Sequence, residues 1–185
     1  MKLNFRKDIL GKHKNNKGIS LVEALVTVVI FSFIAGGIYA TVVVGQDSWE
    51  HNKVSTELHQ GLRAGMEWMK YDLQQAGSSS ISNVPADDAW KTSISFKKPT
   101  GVSNGMIIWD TNATQFVKGG SNNDQLQRIY NGTTKVLANN ISSLQFRRQS
   151  SSSNILEVQI VVQKQTATRH TIQDQLNFEV KLRNN

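Results

Sequence analysis

A run of apolar residues from 19 to 44 contains a single charged side chain, that of Glu23. A helix of this length can span a bilayer, for which about 20 residues suffice. A carboxylate inside such a span is costly in lipid and needs a partner of opposite charge. Because the run contains no basic residue, we expect Glu23 to meet its partner on another molecule.

The positive charge of the chain is concentrated before the apolar run. The formal net charge is +7, of which residues 1–18 contribute +5 and residues 19–185 only +2. Basic residues mark the cytoplasmic side of a span, so we predict that residues 1–18 are cytoplasmic and that the chain after about residue 45 lies outside. The small remaining charge argues against strong nucleic-acid binding.

The absence of cysteine excludes disulfides, thiol catalysis and cysteine-ligated metals.

Three kinds of N-terminal segment have to be compared. A cleaved secretory signal has an apolar core of about 7–15 residues and a small-residue cleavage site. Here the run is longer, and no A-x-A pattern surrounds Tyr39 and Ala40. A plain signal anchor accounts for the length and the orientation but leaves Glu23 unexplained. The third kind is a signal that is cut on the cytoplasmic side, before the apolar run.

Residues 17–23, KGISLVE, favour the third kind, because they resemble the type IV prepilin motif. The resemblance implies that prepilin peptidase cuts between Gly18 and Ile19, that Ile19 becomes N-methylated, and that Glu23 is the fifth residue of the mature chain. The first mature residue of this family is usually phenylalanine, and here it is isoleucine. Residues 1–18 are then a leader peptide that is removed.

The cleavage also provides a partner for Glu23. The new amine of Ile19 is positive, and a carboxylate on a neighbouring subunit can pair with it, which lowers the cost of both charges in an apolar medium. Only one axial stagger of the helices brings the two groups together.

Within the run, Gly36 and Gly37 have two readings: close helix packing through small residues, or a point where the helix unwinds in a filament.

Residues 45–77 continue the helix with one apolar face. Apolar residues recur there at steps of three or four: Val54, Leu58, Leu62, Met66, Met69, Leu73 and Ala76. No proline interrupts residues 19–76, so the pattern predicts one continuous helix, membrane-spanning first and amphipathic afterwards. Gly77 is placed to end it as the C′ residue.

Residues 78–185 show the alternation of β-strands. Strands are predicted at 92–98, 105–109, 113–117, 125–130, 133–138, from 141 to 146, from 156 to 162 and from 176 to 182. Asn131-Gly132 predicts a two-residue hairpin turn. The predicted fold class is α+β and pilin-like, with the long helix packed on an antiparallel β-sheet head.

Two further segments resemble one subgroup of this superfamily. Residues 62–77, with Asp72, Leu73 and a closing Ala-Gly, and residues 139–148 with 180–184, resemble the W-type minor pilins of pili and the J-type minor pseudopilins of type II secretion. The resemblance implies an inner-membrane subunit that joins a filament, at its tip. Its partners would be other minor and major pilins, prepilin peptidase, the inner-membrane assembly platform and, before assembly, lipid.

No catalytic set is recognisable. The four histidines are scattered, and Asp87, Asp88 and Asp110 read as loop carboxylates without the ligand number of a calcium loop. We therefore expect neither enzyme activity nor a cofactor or metal. Besides the structural subunit, the sequence leaves open a tip adhesin or DNA-binding module, while a membrane-anchored enzyme has no residue set to support it.

Overall fold

The structure, a computed structural model, describes residues 18–183. Its contacts divide the chain between Gly45 and Gln46 into two compact units, which are described separately. One helix, α1, runs over Leu21–Gln74, so the predicted continuous helix is confirmed with each end two residues shorter. The first unit contains its apolar part, and the second contains its amphipathic part and all the strands.

The end of α1 differs from the prediction for Gly77. The N–H groups of Gln75 and Ala76 donate to carbonyls three residues back, at 3.2 and 3.0 Å, so the last turn tightens and satisfies its free carbonyls. Gly77 is extended, with φ −103°, and is not the left-handed C′ residue. Its N–H instead donates to Ser80 Oγ at 3.1 Å, at the start of the 3₁₀ turn Ser78–Ser80.

The described part of the second unit contains nine strands in three antiparallel sheets. Their bounds are β1 Ser93–Phe96, β2 Pro99–Ser103, β3 Met106–Trp109, β4 Thr114–Gly119, β5 Gln125–Tyr130, β6 Thr133–Ala138, β7 Ile141–Gln149, β8 Ser152–Gln165 and β9 Thr171–Lys181. The strand orders are β1-β4-β5-β6, β2-β3 and β7-β8-β9. The α+β class is confirmed, although the head has two main sheets and a separate hairpin.

Two hairpin turns consist of an asparagine followed by a glycine, the residue pair that their backbone conformation favours. Asn131 and Gly132 have φ of +47° and +73°, the conformation that a type I′ turn requires, and the predicted hairpin is confirmed. Asn104 and Gly105 adopt the same conformation, with φ of +52° and +77°. Strand β2 before them was not predicted, because its sequence PTGVS combines proline and glycine with little alternation.

The core of the second unit lies between the apolar face of α1 and the inward faces of both main sheets. Its members include Val54, Leu58, Leu62, Met69, Leu73, Ala76, Ile94, Phe96, Phe116, Leu126, Phe146, Leu156, Ile160 and Val180. Met66, predicted on the same face, is only half-buried, and Gly65 is buried instead. An alanine Cβ at Gly65 would lie 3.2 Å from Ala138 Cβ, so this glycine lets α1 approach strand β6 closely.

Candidate membrane and assembly segment

The first turn of α1 is capped by Ser20. The Glu23 N–H donates to Ser20 Oγ at 3.1 Å, and the Ala24 N–H donates to the Ser20 carbonyl at 3.0 Å. A serine followed three residues later by glutamate is the sequence pattern of a capping box, of which the serine part is formed here. Glu23 therefore lies in the first turn, where the helix dipole favours a carboxylate.

The carboxylate of Glu23 is exposed. It has no hydrogen-bond or ion-pair partner among residues 18–183. A capped helix start thus presents a negative charge outward at the head of an apolar segment. This arrangement leaves the carboxylate accessible to a positive group from another molecule, and its pairing with the amine of Ile19 stays a prediction.

The peptide bond between Gly18 and Ile19 precedes the helix. Residues 18–20 have no regular secondary structure and are exposed, and α1 begins at Leu21. An exposed segment without regular structure is accessible to a peptidase. The basic leader predicted before it, residues 1–17, lies outside the described residues.

The apolar part of α1 is exposed all round. This part contains a segment with a mean hydropathy of 2.3, and no residue of that segment is buried in the structure. Phe31 and Phe33 are 70% and 78% exposed. By length and composition the helix can cross a membrane. An apolar surface of this size in a folded protein needs lipid or other proteins to cover it.

The serine and threonine hydroxyl groups between residues 21 and 44 are satisfied within the helix. Thr27, Ser32 and Thr41 each donate to the backbone carbonyl four residues earlier, at 2.7, 2.8 and 2.9 Å. In an apolar medium an unsatisfied hydroxyl would be costly. The hydrogen bonding of the segment therefore suits lipid or the core of a helical assembly.

Gly36 and Gly37 lie inside the intact helix. A Cβ added at either would meet no atom within 4 Å, so the described chain itself does not need a glycine there. Both readings of this pair, close packing with another helix and unwinding in a filament, stay predictions.

Asp72 has a structural role that the motif alone did not reveal. Its side chain is 4% exposed and binds Lys98 Nζ and Arg128 Nε, each at 2.6 Å. Lys98 lies between β1 and β2, and Arg128 lies on β5, with its guanidinium 5.4 Å from the Tyr130 ring centroid. The carboxylate therefore joins the end of α1 to the sheet, and its partners come from sequence positions 26 and 56 residues away.

Asp88, Asp110 and Asp174 each have a partner within the second unit. Asp88 accepts hydrogen bonds from the Ser150 hydroxyl and N–H, and these bonds lower its pKa. Asp110 accepts from the Asn112 N–H and the Tyr130 hydroxyl, which lower its pKa in the same way. His59 lies 3.0 Å from Asp174. Across residues 18–183 no three histidine or acidic side chains are grouped as a metal site.

The comparisons with known proteins concern the N-terminal segment. Residues 13–39 match the family model of the prokaryotic N-terminal methylation motif. Neither the curated proteins nor the solved structures contain a match to the chain. With the long apolar helix, the motif fits a type IV pilin-like protein and indicates a precursor of the pilin or pseudopilin type.

Proposed function

We propose that this chain is a minor pilin or pseudopilin of a type IV pilus or type II secretion system. It inserts into the inner membrane with its N-terminus in the cytoplasm and is cut between Gly18 and Ile19 by prepilin peptidase. It is then methylated at Ile19 and takes part in initiating or capping the filament. The observation that carries the proposal is Glu23, an exposed carboxylate without a partner among residues 18–183, at the start of a membrane-length helix.

The chemistry of assembly follows from two charges. Cleavage leaves a positive amine on Ile19, and Glu23 of an adjacent subunit supplies the negative group. Each charge alone is unfavourable among apolar helices, whereas the pair satisfies both. The apolar surface of residues 21–44, covered by lipid before assembly, is covered afterwards by the helices of other subunits. The subunits' axial register is the one that brings amine and carboxylate together.

Mass spectrometry of the protein from its native membrane tests the processing step. We expect the chain to begin at Ile19 with a methyl group on the terminal nitrogen. A native chain that retains residues 1–18 would overturn the proposed cleavage and, with it, the proposed amine.

The substitution Glu23→Gln tests assembly, because it removes the charge and keeps the shape. Membrane insertion and cleavage should be unchanged. The amount of other pilins that co-purifies should fall by at least about tenfold, because the ion pair between Glu23 and the amine of Ile19 in an apolar medium loses its negative charge. Glu67→Gln is the matched control, because Glu67 is an exposed carboxylate of the same helix outside the apolar run. Equal co-purification by the Glu23 variant and the control would refute the assembly role.

A further inference from the structure

An open cavity of about 520 Å³ lies on the outer face of the sheet β7-β8-β9. Its polar lining residues on the strands alternate with the buried residues of the core, so their side chains point away from it. They are Arg147, Glu157, Gln159, Asn177 and Glu179, and Trp90, which precedes β1, lines the cavity beside them. The site lies entirely in the second unit.

Two rows of polar side chains cross the sheet on the face that carries this cavity, and all of them except Gln145 line it. Cross-strand neighbours share a face and lie about 5 Å apart. The rows are Arg147–Glu157–Glu179 and Gln145–Gln159–Asn177. The pairing of three strands therefore places planar amide, carboxylate and guanidinium groups side by side, although they are distant in sequence.

Trp90 forms one wall and is held in place by its neighbours. Lys91 and Phe146 exchange two backbone hydrogen bonds of 2.8 Å, which attach this segment to β7. The Arg147 guanidinium lies 4.6 Å from the Trp90 ring centroid, within the range of a cation–π contact. The indole is still 39% exposed, so part of an aromatic surface remains free for a ligand.

Some groups in the cavity are committed to one another, and others are free. Arg147 Nε donates to Glu157 at 3.1 Å, and Gln149 donates to the other carboxylate oxygen. The Gln149 and Arg147 hydrogen bonds keep the pKa of Glu157 low, so this carboxylate stays ionised and neutralises Arg147. In contrast, the side chains of Gln159 and Glu179 have no hydrogen-bond partner in the described part of the chain.

We propose that this cavity binds a neutral oligosaccharide. An amide offers a donor and an acceptor in one plane, and a carboxylate offers two acceptors, which match adjacent hydroxyl groups of a sugar ring. The exposed indole offers an apolar face for the ring's C–H groups. Because Glu157 neutralises Arg147, Glu179 is the one uncompensated charge among the lining residues, so the cavity lacks the several like charges that recognise a polyanion or a polycation.

Ligand titration of the full-length protein tests this site. The protein would be held in a zwitterionic detergent, because a sugar-based detergent would compete. Cellotetraose and chitotetraose would be added at concentrations up to about 10 mM and followed by saturation-transfer NMR and calorimetry. We expect saturable binding of at least one of them, with affinity lowered about tenfold by Trp90→Ala and by Gln159→Ala.

Matched controls separate the cavity from the rest of the surface. Trp68→Ala removes another exposed tryptophan, and Gln173→Ala removes another amide of β9 outside the cavity; both should bind as the wild type does. Gln159→Ala removes no hydrogen bond within the described part of the chain, so it remains informative if Trp90→Ala is destabilised. The proposal is overturned if neither sugar binds, if the controls lose as much affinity as the cavity variants, or if tetralysine binds in preference.

Discussion

Replacing Asp72 by asparagine should be the most damaging single change of a polar residue in the second unit. The substitution keeps the size of the side chain and removes its charge. Lys98 and Arg128, whose side chains are 20% and 22% exposed, would then lose the carboxylate that both of them bind. Partly buried cations without a partner are unfavourable, since water cannot fully replace the lost contact.

The magnitude follows from the burial of the three groups. Breaking a fully buried ion pair by removing one partner costs about 3–5 kcal/mol. Because about a fifth of each cation remains in contact with water, we expect the free energy of unfolding to fall by about 2–4 kcal/mol. For a unit of this size the melting temperature would fall by roughly 5–15 °C.

Urea and thermal unfolding of the detergent-solubilised protein, followed by circular dichroism, measure this effect. Glu57→Gln is the control, because Glu57 lies on the same helix and pairs with Lys164 at 2.8 Å but is 55% exposed. Exposed pairs contribute about 0–1 kcal/mol. If Asp72→Asn destabilises the protein no more than Glu57→Gln does, Asp72 does not hold α1 to the sheet.

Two further predictions concern the same unit. In urea unfolding, Gly61→Ala should stabilise by about 0.5–1 kcal/mol, because the added methyl meets no atom within 4 Å. Gly65→Ala should destabilise by about 1–2 kcal/mol, because its methyl would lie 3.2 Å from side-chain carbons of β5 and β6; the reverse order would contradict the packing. Tyr130→Phe should raise the pKa of Asp110 towards its ordinary value of 3.8 in an NMR titration, since one of the bonds that lower it is lost. The stability that this bond provides is present at neutral pH and is lost as the pH falls through the folded-state pKa of Asp110, so a variant deficit that does not shrink as the pH is lowered would contradict its assignment.

Local patterns predicted those parts of the structure that depend on neighbouring residues. The span, the motif around Gly18 and Glu23, and the continuous helix are all visible as hydropathy and spacing within a few turns. The Asn131-Gly132 hairpin was predicted because its turn requires positive φ at both positions. The prediction for Gly77 was wrong, because a 3₁₀ turn that begins at the next residue took the place of a left-handed helix end.

The sequence by itself therefore determined the kind of chain this is: an N-terminal methylation motif, an apolar helix whose surface lipid or other proteins must cover, and a head of alternating strands. Only the tertiary structure decided which distant residues meet. Lys98 and Arg128 reach Asp72 across 26 and 56 positions, and the pairing of β8 with β9 brings Glu157 beside Glu179. Periodicity assigns a residue to a face, whereas strand register and helix packing, which minimise exposed apolar surface over the whole head, select its neighbours.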